Sequence, residues 1–119
     1  MTGTGWVVRA EDVVYVVDYA DYAHEVAIDS ELDADAQNFA QQLTATVTSS
    51  TRRQVTRMSV GPLPGLDFTV DGTAVSGAGL AVVDGRRVYV AAAVSVKPHD
   101  GRAEIDRFLK SFELTAAKR

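Results

Sequence analysis

The chain has 119 residues, a formal net charge of −4 and no cysteine. That length suits a single domain over 1–119 with a proper core. The acidic balance argues against nucleic acid, and the missing thiols exclude disulfides, iron–sulfur clusters, zinc-thiolate sites and thiol catalysis. No run approaches the roughly 18 apolar residues of a membrane span, and Met1 to Gly5 has neither the basic nor the apolar region of a signal peptide, so a soluble protein is expected, cytoplasmic or exported with its leader removed.

Trp6 to Arg9 and Val13 to Tyr22 are predicted strands, with Glu11-Asp12 turning between them. The second is rich in β-branched and aromatic residues, and its nearly continuous apolar run suits a strand covered on both faces. Tyr15 and Tyr19 fall on one face of it and Tyr22 on the other. Acidic residues from Asp29 onward lead into a predicted helix of roughly Asp35 to Thr48. Ala36, Phe39, Ala40, Leu43 and Val47 form its apolar stripe, while Gln37, Asn38, Gln41 and Gln42 face out. Arg53 to Val60 is a further predicted strand, and Gly61-Pro62-Leu63-Pro64-Gly65 a turn.

Leu63 to Val96 then reads as a meander of three antiparallel strands with two-residue turns at Asp71-Gly72 and Asp84-Gly85. With those turns Phe68 pairs with Val75 and Val90 with Gly79. Both turns agree on the faces. Leu66, Phe68, Val70, Val75, Val88, Val90, Ala92, Val94 and Val96 share a large aliphatic side. Ala74, Ser76, Ala78, Leu80, Val82, Tyr89, Ala91 and Ala93 share a smaller but still apolar side. Both are therefore expected to be covered. Gly77 and Gly79 face the aliphatic side. The preferred reading is that a helix aromatic, Phe108 or Phe112, fills the space above them; the alternative is a ligand slot. After the loop at Lys97 to Gly101, with Asp100 as helix cap, Glu104 to Glu113 is a predicted amphipathic helix carrying Ile105, Phe108, Leu109 and Phe112.

The expected fold class is α+β, a mainly antiparallel sheet of about six strands with helices packed on it. If one helix covers each face a monomer suffices, with a weak homodimer as the alternative.

No catalytic constellation is visible. His24 and His99 lie on different segments, and no strained Gly-x-Ser-x-Gly elbow is present. Asp29, Glu31, Asp33 and Asp35 alternate like calcium ligands, but Ala34 and Ala40 stand where a calcium loop needs glycine and glutamate. Acids at a helix start are accounted for by the helix dipole. No metal and no cofactor is expected. What remains as a candidate binding surface is aromatic: Trp6, Tyr15, Tyr19 and Tyr22, together with the slot at Gly77 and Gly79.

Three pieces of the sequence resemble the Mog1/PsbP-like group in its small bacterial form. They are Pro64-Gly65-Leu66-Asp67-Phe68, Gly85-Arg86-Arg87-Val88-Tyr89 and Arg107-Phe108-Leu109-Lys110-Ser111-Phe112. With Val16-Asp18-Tyr19 the match spans most of the chain from Val13; Asp67 stands where the group has glutamate. The resemblance implies an α/β/α sandwich and no chemistry. It points to a non-enzymatic binding or assembly module with a protein partner. The alternative is a small-molecule carrier or small enzyme with an NTF2-like pocket near Gly77 and Gly79.

Overall fold

A computed structural model describes residues 2–10, 12–24, 27–57, 60–97 and 101–117, with side chains at 5, 7, 12–24, 27–55, 62–97 and 101–110. Its elements are β1 (Thr2–Ala10), β2 (Val13–Asp21), α1 (Ile28–Gln42), β3 (Ala45–Arg57), β4 (Val60–Gly72), β5 (Val75–Asp84), β6 (Arg87–Val96) and α2 (Arg102–Ala117). The strands form one open sheet, order β1-β2-β6-β5-β4-β3, with every neighbouring pair antiparallel. The α+β class and the antiparallel sheet are as expected from the alternation.

Each face carries one helix. Leu32, Ala36, Phe39 and Ala40 of α1 pack on Leu66, Phe68, Val70, Ala81, Val83, Val88, Ala92 and Val94. Ile105, Phe108 and Leu109 of α2 pack on Val13, Tyr15, Ala78 and Ala93. Val94 and Ala93 are consecutive in β6, so the two clusters lie on opposite sides of the sheet. The small-residue face is therefore covered within the chain; Ala91 and Ala93 are both fully buried. Leu80, Val82, Val55 and Leu63 form a further buried cluster, with Tyr89 packed against it.

The meander keeps its faces but changes its registers. Phe68 pairs with Gly79 rather than Val75, a slide of four residues, and Val90 with Ala81 rather than Gly79, a slide of two. Both slides are even, so every side chain stays on its expected face. The first loop is Thr73-Ala74, not Asp71-Gly72. β4 runs on to Gly72 because Asp71 and Gly72 pair with Thr46 and Ala45 of β3, while the Asp71 carboxylate meets Lys97 at 3.0 Å. A local turn signal carries no information about a strand on the far side. The second loop is Gly85-Arg86, closed by Asp84 opposite Arg87. Gly85 has φ +64° and Arg86 does not share it, the pattern of a type II′ turn with glycine first.

Two further boundaries differ. The helix begins at Ile28 and ends at Gln42, seven residues earlier than expected at its start, and Val47 lies in β3 rather than on its stripe. Its cap is Ala27, with no side-chain hydrogen bond, so no polar residue announces the start. Thr44, at φ 53°, reverses the chain after it. Thr46 and Thr48 then lie in β3 and not in a weakened last turn of the helix. Residues 61–65 are strand, not turn. Pro64 sits opposite Gln54 of β3, and pairing with β5 begins only at Gly65. The prolines thus occupy the stretch of β4 that lacks a neighbour on its other side, where a missing N–H costs nothing. Met58, His99 and the Asp100 cap lie outside the described residues.

Candidate functional site

The three tyrosines of the expected aromatic surface lie in separate surroundings. Tyr15 stacks on Phe108 of α2 at 5.0 Å between ring centroids. Tyr19 lies on the same face but at the other end of β2, 6.2 Å from the Tyr89 ring and 4.5 Å beneath the Arg87 guanidinium. Arg87 is anchored there by a two-pronged pair with Asp21, at 2.6 and 2.8 Å, which lowers the Asp21 pKa. Tyr22 is on the opposite side of the sheet, as the strand period requires. Trp6 pairs with Val17 through the backbone; its side chain lies outside the described residues.

Among the described residues no helix aromatic lies over Gly77 or Gly79. The Phe68 ring of the adjacent strand lies over Gly79, where an added Cβ would be 2.9 Å from Cε1, and a Cβ at Gly77 would be 2.6 Å from Cγ1 of Val94. Phe108 is on the other face, and the Phe112 side chain lies outside the described residues. A ring packed across a strand glycine is local strand-to-strand complementarity, which the slid register creates and the expected register could not show.

A cleft lies elsewhere, between the C-terminal half of α1 and the sheet. It has a volume of about 400 Å³ and is walled by Asp35, Asn38, Phe39 and Gln42 of α1 and by Gly5, Asp18, Tyr22, Val88 and Val90 from below. The sheet places these groups together: Asp18 stands opposite Gly5 on one side and Val90 on the other. Partial burial raises the Asp18 pKa. Asp35 is pushed up to about 8, first by burial and then by its hydrogen bond and repulsion with Glu31, one helical turn away. Its Oδ2 is buried without a hydrogen-bond partner. The Tyr22 hydroxyl bonds to Glu31, and burial with that neighbouring charge raises it as well. Near neutral pH, Asp35 therefore keeps a proton that an ordinary carboxyl would have lost. Among the described residues no three His, Cys, Asp or Glu side chains are placed to hold a metal ion. His24 is exposed in the loop after β2.

Beside the cleft the same face continues as a valine strip. Val14, Val16 and Val90 are only partly buried at the margin of the α1 core, and Val7, opposite Val16 in β1, is 69% exposed. α1 packs on β3, β4 and β5. Six strands at about 4.8 Å spacing make a face roughly 24 Å wide, and one helix covers about 10 Å of it.

Asp18, Asp35 and Val7 were not legible as a site in the sequence. One signal was present: Asp18 is the lone acid inside the apolar run Val13 to Ala20. In the sequence Asp35 is one of four alternating acids at a helix start; because α1 begins at Ile28, it lies in the middle of the helix instead.

Compared with known proteins, the chain matches no family model and no curated protein. Among the described residues no helix is long and apolar enough to cross a membrane.

Proposed function

We propose that this domain is a non-enzymatic binding or assembly module whose recognition surface is the α1 face beyond the helix, where the valine strip meets the cleft. The observation that carries the reading is Val7, a large aliphatic side chain 69% exposed opposite Val16, which in turn stands opposite the buried Ala92 of the α1 core. Contiguous apolar surface left open in this way marks contact sites. The resemblance to the Mog1/PsbP-like group fits an antiparallel sheet with a helix on each face and is in keeping with a module that binds rather than catalyses.

Capture from native extract tests this. Folded wild-type domain and a Val7→Lys variant are immobilised side by side. A protein retained by the wild type and lost by the variant is expected. Equal retention by both removes the surface from the reading.

The second reading is a small-molecule carrier or small enzyme. It is favoured by the cleft, whose volume of about 400 Å³ suits a small ligand and which holds a protonated carboxyl beside a tyrosine. It places the ligand at Asp18 and Asp35 and not at Gly77 and Gly79. Turnover on a hydrolase or isomerase panel that is lost in Asp35→Asn would establish it over the first.

A further inference from the structure

We propose that the open half of the α1 face receives a basic amphipathic helix from a partner protein, laid on the valine strip beside α1. This rests on the reading of the domain as a binding module and names the partner's chemistry.

The geometry asks for a helix. α1 covers one half of a face that needs two helices across it, and it leaves a strip of the dimensions a second helix would fill. The open half of the face runs the length of β2, nine residues, or about 30 Å, which corresponds to a helix of roughly 18 to 20 residues, and the valines occupy its part up to Asp18. Its floor is Val7, Val14, Val16 and Val90, an apolar row bounded by Arg9 at one end and Asp18 at the other. A helix docking there presents apolar residues at i, i+3, i+4 and i+7.

The charge asks for a basic one. Asp18 ends the strip on the sheet, and Asp35 and Glu31 project from α1 on the side of the cleft. Arg9, opposite Val14, is the basic position at the far end. Asp35 has an orphaned buried oxygen and a proton held by burial and by the neighbouring Glu31. A lysine or arginine entering the cleft would supply both the missing hydrogen bond and the missing charge, and would release that proton.

The test uses two labelled peptides of about 18 residues. One has leucine at the helical i, i+3, i+4, i+7 spacing and lysine elsewhere; the other has glutamate in place of each lysine. Fluorescence anisotropy is read on the full chain, on Val7→Lys and on Asp106→Asn, an exposed acid of α2 on the other face. Val7 is exposed, so its replacement leaves the core intact. The proposal expects the lysine peptide to bind at least about tenfold more tightly than the glutamate peptide. Val7→Lys should weaken it by a similar factor, and Asp106→Asn should leave it unchanged. Equal binding of both peptides overturns the proposal, as does a lysine peptide indifferent to Val7→Lys or equally weakened by Asp106→Asn. A wild-type dimer in light scattering that Val7→Lys dissociates also overturns it, by placing a second copy on the strip. If the peptides fail while extract capture still depends on Val7, only the helix chemistry falls; if capture is indifferent to Val7 as well, the binding-module surface falls with it.

Discussion

The contact between Phe68 and Gly79 can be measured as a coupling energy. Phe68 is 2% exposed, its ring lies edge-on to Phe39 at 5.9 Å between centroids, and it covers Gly79 so closely that an added Cβ would meet two ring carbons at 2.9 Å. Gly79→Ala in the wild type should therefore cost about 1–3 kcal/mol, since the ring is hemmed in by α1 and has little room to retreat. In a Phe68→Leu background, itself about 1–3 kcal/mol less stable, the same change meets a smaller and more adaptable side chain. There it gains the usual strand advantage of alanine over glycine, about 0.5–1 kcal/mol. Its effect should shrink to near zero or change sign, a coupling on the order of 2 kcal/mol. Urea unfolding followed by circular dichroism on the four proteins yields the cycle. If Gly79→Ala costs the same in both backgrounds to within about 0.5 kcal/mol, the ring is not over Gly79 and the observed β4–β5 register is wrong.

Ala91 is fully buried on the α2 side of the sheet, so Ala91→Glu should unfold a monomeric wild type rather than release a subunit from a dimer; light scattering with circular dichroism distinguishes the two outcomes. Asp35 keeps its proton to about pH 8 in the folded chain but loses it near 3.8 when unfolded. Faced by Glu31 on its own helix, by Asp18 on β2 and by Tyr22 just after it, Asp35 therefore makes stability fall as pH rises from about 4 to about 8. Asp35→Asn should remove that loss, worth about 1–2 kcal/mol after allowing for the half-exposed site, and the gain should be visible at pH 8 and absent at pH 4 in parallel denaturant melts. Gly85→Ala should cost about 1 kcal/mol, because its φ of +64° is strained for any residue with a Cβ although nothing crowds the site; an unchanged midpoint would contradict the II′ turn.

What the sequence determined on its own is parity. Side chains alternate along a strand, so Leu66, Phe68, Val88 and Ala92 belong to one side and Leu80, Ala91 and Ala93 to the other, and even slides of four and two residues leave them there. Likewise the stripes of Ala36, Phe39 and Ala40 and of Ile105, Phe108 and Leu109 follow from a period of 3.6 and needed no partner to be visible. Tertiary structure decided which residues meet. Asp71-Gly72 has every local mark of a turn, but β3 offered it a strand partner, and two more paired residues outweighed the local preference. The prolines of β4 looked like a turn because the absence of a neighbour that makes them harmless is a property of the sheet. The candidate site is of this second kind: Gly5, Asp18, Asp35 and Val90 come from four separate elements, and the burial that holds a proton on Asp35 exists only once α1 lies across strands far from it in the chain.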